Sequence, residues 1–258
     1  MSIWNEVAKG FSEKGPNYWQ WFGQALMDQS SLKEGQAFLD VGFGRGASLF
    51  PGLEKVGARG KAYGIDTSDQ MVFYTQKACQ DQENVHLSCS NLEGFDCDQD
   101  LDGIYCGFGL GFIEMEKAYG KIKTLLRDQG EFGVCNWTHQ EDQDWMTGLV
   151  NRFLDIEEDI KPPHPISFEE GLVALFEREG FKNIRSQVIT KTFYFKDKEE
   201  WWQDLNQTAV KNTLKAVEDK GRLEAFKAQA FEDLEAQMTP DGLAVKRQAI
   251  LAYGQISK

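Results

Sequence analysis

The chain has 258 residues, of which 41% are hydrophobic and 27% charged, enough apolar material to bury roughly 70–75% of the unfolded surface in one core with elaborations; disorder, a collagen-like repeat and a disulfide miniprotein are excluded. Twenty-eight Lys and Arg against 41 Asp and Glu leave a formal net charge of −13, a surface that repels nucleic-acid phosphates and anionic lipid headgroups, so neither partner is expected. Polar residues run through the N-terminal segment, no stretch reaches the ~18 consecutive apolar residues of a membrane span, and the five cysteines (Cys79, Cys89, Cys97, Cys106, Cys135) lack C-x-x-C spacing, which fits reduced thiols and a cytoplasmic location.

In chain order, residues 1–34 are expected to be helical and carry an aromatic group at Tyr18, Trp19 and Trp21. Short apolar runs ending in turn residues follow at 37–41, 62–65, 85–88, 103–106 and 131–135, with helix-period segments between most of them. Such alternation predicts a parallel sheet covered on both faces. Ser68 is placed to cap a helix bearing Met71, Val72, Thr75 and Ala78. Ser167 with Glu170 reads as a capping box ahead of Leu172, Val173, Leu175 and Phe176, closed by Gly180. Residues 184–195 read as a strand. Trp201, Trp202, Leu205 and Ala209, then Leu223, Phe226, Ala230, Phe231 and Leu234, fall at helical spacing. Residues 240–242 break that pattern and 249–256 form a last apolar stretch that can close the sheet. No repeat, low-complexity tract or Pro/Ser-rich linker separates two domains.

The run Phe38-Leu39-Asp40-Val41-Gly42-Phe43-Gly44-Arg45-Gly46-Ala47 is a strand passing into a glycine-rich turn, where glycine supplies positive φ and close backbone approach to a ligand. Asp66 lies twenty residues past Gly46, at the end of the next apolar run, where a carboxylate can accept two hydrogen bonds from ribose hydroxyls. The couple implies a nucleoside ligand. Gly42-x-Gly44-x-x-Ala47 also satisfies the relaxed dinucleotide fingerprint, so an NAD-type oxidoreductase is the alternative enzyme. Asp40 separates the two: a pyrophosphate against this turn is repelled by a carboxylate, whereas a ligand bearing an ammonium and a sulfonium is attracted. This favours S-adenosylmethionine.

Asp40-Val41-Gly42-Phe43-Gly44-Arg45-Gly46 resembles the first motif of class I S-adenosylmethionine-dependent methyltransferases, and Gly64-Ile65-Asp66-Thr67-Ser68-Asp69-Gln70-Met71 is similar to the segment that follows it. Val85-His86-Leu87-Ser88-Cys89-Ser90-Asn91-Leu92-Glu93 resembles the adenine-binding segment, with Asn91 where the family usually has Asp and Leu92 where it often has Ala. Leu101-Asp102-Gly103-Ile104-Tyr105-Cys106 resembles the fourth strand, and Leu125-Leu126-Arg127-Asp128-Gln129-Gly130 the loop before the fifth, without its usual Pro-Gly. Phe43 stands where a small residue is common. The resemblance covers residues 35–137 well and the rest weakly.

It implies an α/β fold: a doubly wound, mostly parallel, seven-stranded sheet whose last strand is antiparallel. One domain would span residues 1–258, with an N-terminal helical cap (1–34), a cofactor-binding core (35–137) and acceptor-side loops (138–258) that include a helical insertion at about 197–238. By the same resemblance Asp40, Gly42, Gly44, Gly46, Asp66, Thr67, Met71, Asn91, Leu92 and Gly107 border the cofactor; independently of it, the aromatic group that includes Tyr18 offers a face to the sulfonium or a roof to the acceptor. Plain core or helix-face packing is the competing role for Met71 and Tyr18, and turn formation for Asn91. Methyl transfer from a sulfonium needs alignment and desolvation, not a nucleophilic residue. The general-base candidates are His139, after the fifth strand, and His164, in Pro162-Pro163-His164-Pro165. No Cys/His cluster suggests a metal. Cys106-Gly107-Phe108-Gly109 lacks an Asn-Pro-Pro-Tyr type turn, which argues against nucleobase or amide acceptors and leaves a small organic molecule. A protein that binds the cofactor without methylating is the remaining alternative.

Overall fold

The computed structural model describes residues 2–157 and 162–258. The strands are β1 (Ala37–Val41), β2 (Lys61–Asp66), β3 (Val85–Cys89), β4 (Leu101–Gly107), β5 (Leu126–Trp137), β6 (Lys182–Phe195), β7 (Met238–Thr239) and β8 (Gly242–Gln255). By internal contacts the chain divides into two compact units. The larger comprises Trp19–Thr138, His164–Ile189 and Ala249–Lys258; the smaller comprises Met1–Tyr18, His139–Pro163 and Thr190–Gln248.

The larger unit is built on a sheet of order β3-β2-β1-β4-β5-β8-β6. β1 pairs in parallel with β2 and β4, and β4 with β5. β8 closes antiparallel, with Phe132 opposite Gly254 and Cys135 opposite Leu251. This is the mixed, mostly parallel α/β sheet expected. β1 is buried along its whole length and β4 along most of it, as strands covered on two faces must be. β3, at the sheet edge, has no buried residue and is mostly exposed. Helix Tyr18–Asp28 presents Phe22, Leu26 and Met27 to this core, all fully buried.

A charged network sits inside the larger unit. Glu131 Oε1 accepts from the Ser31 amide at 2.8 Å and the Tyr105 hydroxyl at 2.9 Å, while Oε2 faces Arg185 at 2.9 Å. The Arg185 guanidinium lies 3.8 Å from the Tyr253 ring centre, and the Tyr253 hydroxyl donates to the Leu26 carbonyl at 2.7 Å. Both oxygens of this buried carboxylate face donors, the condition under which such burial is tolerated.

The smaller unit holds helix Ile3–Val7, helix Glu141–Leu154, and helices Lys198–Leu205, Val210–Asp219 and Leu223–Asp233, which occupy the expected insertion. The Asp197 side chain accepts from the Glu200 amide at 2.8 Å and so opens the first of these three. Trp201, Leu214, Val217, Phe226 and Ala230 are its buried face.

Several boundaries differ from the sequence expectation. β5 starts at Leu126, not after a loop ending at Gly130: its ladder pairs Leu101 with Leu126 and then Gly103 with Glu131, so a bulge absorbs the polar residues between. β8 starts at Gly242 rather than 249. The Ser68 cap forms, its Oγ accepting from the Met71 amide at 3.1 Å. The Ser167 capping box does not. Pro165 starts a 3-10 turn, Pro165–Ser167, and Phe168 becomes the residue before helix Glu169–Arg178, with no side-chain cap.

Candidate active site

The turn after β1 carries Gly42 at φ +71° and Gly44 at φ +53°, a region that bulky residues occupy only under strain. A Cβ added at either would meet nothing within 4 Å. The turn therefore shows bare backbone to open space, the surface a ligand can approach closely. Gly46 differs, since a Cβ there would lie 2.3 Å from the Phe50 ring. Phe43, unusual for the motif, is 2% exposed and its ring fills the space above Gly64, where a Cβ would come within 2.7 Å of it. The large residue is thus part of the support beneath the turn.

Two carboxylates frame the turn. Asp66, at the end of β2, accepts from the Gly44 amide at 2.9 Å through Oδ2 and from the Ser68 amide at 2.8 Å through Oδ1. Burial pushes its pKa up, against the pull of those two amides. Each oxygen keeps a second lone pair for a ligand hydroxyl. Asp40 is fully buried in β1; its Oδ2 accepts from Ser48 Oγ at 2.7 Å, whereas Oδ1 has no hydrogen-bond partner. Desolvation raises the Asp40 pKa to about 7, opposed by Ser48 and the Leu49 amide and reinforced by the Asp66 charge. An orphaned buried carboxylate oxygen and an uncovered glycine turn together fit a cationic nucleoside better than a pyrophosphate.

On the β2–β3 side, Met71 is 2% exposed and Leu92 is 3% exposed within the hydrophobic core, so both side chains are structural walls first. Thr67 follows Asp66 directly, ahead of the capped helix. Asn91 is exposed, and its amide oxygen accepts from the Gly94 amide at 3.0 Å, the turn-forming role weighed against adenine recognition.

Gly107 ends β4, and a Cβ on it would sit 3.4 Å from Ser48 Oγ. The next residue, Phe108, is a site feature that sequence reasoning missed: it holds φ +62° without being glycine, and its ring stacks on Trp137 at 4.1 Å. Trp19 meets both edge-on, at 5.1 and 5.5 Å. Gly23 was missed too. A Cβ there would lie 2.2 Å from the Ala47 carbonyl oxygen, so only glycine lets helix Tyr18–Asp28 rest on the end of the turn.

The general-base candidates fall in different units. His139, in the smaller one, has Nε2 2.9 Å from Asp144 Oδ2. His164, in the larger, is exposed, and its Nδ1 accepts from the Ile166 amide at 3.3 Å. The Tyr18 hydroxyl donates to Asp204 Oδ2 at 2.8 Å inside the smaller unit. Asp204 is pushed up to about 6 by burial. Among the described residues, no group of three or more His, Cys, Asp or Glu can hold a metal ion, and no helix is long and apolar enough to cross a membrane.

Residues 38–130 match a family profile described as a methyltransferase domain. The chain is 32% identical over 91 residues to the aklanonic acid methyltransferase DauC of a Streptomyces species, covering 34% of this chain and 41% of that protein. It is 23% identical over 222 residues to (S)-coclaurine N-methyltransferase of Papaver somniferum, covering 80% of this chain and 59% of that one. The chain thus spans between two fifths and three fifths of these curated relatives. Among solved structures, a SAM-dependent methyltransferase from Aquifex aeolicus superposes with a TM-score of 0.53 at 23% identity, covering 73% of this chain and 93% of the other; the fold is the one these proteins share.

Proposed function

We propose that the chain, whose residues 38–130 match a methyltransferase-domain profile and whose fold is shared with a solved SAM-dependent methyltransferase, transfers a methyl group from S-adenosylmethionine to an oxygen, nitrogen or carbon atom of a small organic acceptor. The observation that carries this reading is the turn after β1, where Gly42 and Gly44 face open space at positive φ and Asp66 is clamped across the turn by the Gly44 amide. When bound, S-adenosylmethionine supplies an electrophilic methyl group on a sulfonium.

Gly42 and Gly44 let the backbone approach the methionine portion, and Gly46 completes that turn by leaving room for the Phe50 ring. Asp66 accepts from the ribose hydroxyls with its remaining lone pairs, and the Asp40 carboxylate beneath the turn contributes a negative field toward the ammonium and sulfonium. Thr67, Met71, Asn91 and Leu92 border the adenine, with Met71 and Leu92 giving apolar walls. Gly107 keeps the tip of β4 low beside Ser48. A leaving group already activated leaves the chain to align the partners and exclude water; His164, in the same unit as the glycine turn, takes a proton where the acceptor has one to lose. Five free thiols and the acidic composition fit a cytoplasmic enzyme.

Calorimetry with S-adenosylhomocysteine tests the reading. Micromolar binding is expected, and Asp66→Ala should weaken it by at least about tenfold, the loss of one to two charge-assisted hydrogen bonds. Unchanged affinity in Asp66→Ala removes the ribose assignment, and saturable binding of NADH in place of S-adenosylhomocysteine removes the methyl-transfer reading.

A further inference from the structure

Helix Tyr18–Asp28 places Trp19, Phe22 and Gly23 on one face, three and four residues apart. Gly23 seats that face against the Ala47 carbonyl at the glycine turn. Phe22, fully buried, then meets Phe108 edge-on at 5.9 Å and Trp137 at 5.1 Å. Phe108 stacks on Trp137 at 4.1 Å and 27°, and Trp19 stands edge-on to both. Three of the four rings, Trp19, Phe108 and Trp137, stay partly open to solvent, although Cys106 and Cys135 on the same two strands are completely buried.

The cluster stands at the carboxyl ends of β4 and β5, the edge of an open α/β sheet where ligands bind. It adjoins the glycine turn through Gly107, which lies against Ser48, itself bonded to Asp40. Ordinary core packing does not call for the Phe108 backbone. A bulky residue at φ +62° between two glycines is strained, and it is held there by its own amide, which donates to the Cys135 carbonyl at 2.7 Å. Such strain gathers where a side chain must be aimed at something.

We infer that Phe108, stacked on Trp137 and flanked by Trp19, is the platform on which a neutral acceptor with a flat aromatic ring stacks for methylation. The inference rests on the methyl-transfer reading and narrows its substrate class. Flatness follows from the platform: a planar ring continues the Phe108–Trp137 stack in offset geometry, whereas a saturated ring touches it only at protruding hydrogens. Neutrality follows from charge. An acceptor cation on these rings would sit beside a sulfonium in a partly desolvated site, where like charges repel strongly, even though isolated aromatic faces attract cations.

The test is calorimetry on the full chain, titrated with β-naphthol and its decahydro counterpart when saturated with S-adenosylhomocysteine, and with tetramethylammonium chloride when saturated with S-adenosylmethionine, which carries the sulfonium. β-Naphthol should bind about tenfold or more tightly than the decahydro alcohol, the size of one good ring stack. Phe108→Leu, which keeps an apolar side chain of similar bulk, should erase that preference, and Phe108→Tyr should restore it. S-Adenosylhomocysteine affinity should be the same in all three proteins, which separates a platform from a general structural role. Equal binding of the two alcohols, tightest binding of tetramethylammonium, or an intact preference in Phe108→Leu overturns the inference and leaves the methyl-transfer reading standing. Failure of the unaltered chain to bind S-adenosylhomocysteine overturns both.

Discussion

Asp40→Asn should make the chain progressively more stable, relative to the unaltered protein, as pH rises from about 4 to about 8. The Asp40 carboxyl is completely buried, its pKa is raised to about 7, and one of its oxygens has no hydrogen-bond partner. In the unfolded chain the same group titrates near its ordinary value of about 4. Between those values the folded state holds a proton that the unfolded state has released, so stability falls with rising pH through this window. A shift of about three units corresponds to about 4 kcal/mol once pH passes the folded value, an upper figure because buried sites relax and admit water. Asparagine is isosteric, keeps an oxygen for the Ser48 hydroxyl and never ionises. The difference between the two proteins, not either curve alone, therefore isolates the group, since Asp66 and Asp204 also have raised pKa values and titrate in both. Chemical denaturation at half-unit pH steps measures it. A second readout is linked to function: a bound cation favours ionised Asp40, so S-adenosylmethionine should bind more tightly to the unaltered protein at pH 8 than at pH 6 and release a proton, and both effects should vanish in Asp40→Asn. Parallel stability curves, or an asparagine variant that loses stability as pH rises, would refute the burial argument.

Gly44→Ala should cost only about 1–2 kcal/mol of stability, the left-handed backbone penalty with no clash around the new methyl group, yet weaken S-adenosylhomocysteine by more than about tenfold because that methyl occupies the approach to the turn; a large loss of Tm with affinity intact would reverse the assignment of the open space. Tyr18→Phe should lower the free energy of unfolding by about 1–3 kcal/mol, the usual penalty for depriving a buried carboxylate of a donor, here Asp204, with cofactor affinity unchanged; a drop in that affinity instead would return the Tyr18 ring to the cofactor, the role its aromatic face suggested.

The parts of this site that the sequence made legible are those whose chemistry is local. A strand, three glycines and a carboxylate at a fixed distance state their geometry within thirty residues, because positive φ and charge are properties of the residues themselves. The Asp40 carboxylate was legible as a charge, but its burial was not: the Ser48 hydroxyl reaches it and the sheet covers it completely only in the folded chain. Phe108 carries no signal of its own, since nothing in a phenylalanine announces positive φ; its two glycine neighbours were the available hint. The Ser167 capping box failed for the opposite reason. Its residues were correct for the motif, but Pro165, two positions earlier, had already committed the backbone to a tighter turn.

The division into two compact units was the least readable feature, and the reason is topological. Each unit gathers three segments, so the chain passes between them five times, and two of those passages lie inside the continuous strands β6 and β8. A linker is visible in sequence when the chain leaves one core and does not return; composition then changes and stays changed. Here two of the passages lie inside strands and one inside a helix, where no glycine, proline or serine marks them, and only the passage at Pro163–His164 falls in a proline-rich stretch. The motif-bearing stretch 38–130 lies wholly within the larger unit and is where family resemblance is strong. Cofactor chemistry is thus concentrated where local rules apply. The residues that would choose an acceptor, Trp19 from the N-terminal helix and Phe108 and Trp137 from two strand ends, are distant in sequence, Trp19 and Trp137 by more than a hundred positions, and only the fold could show that they meet.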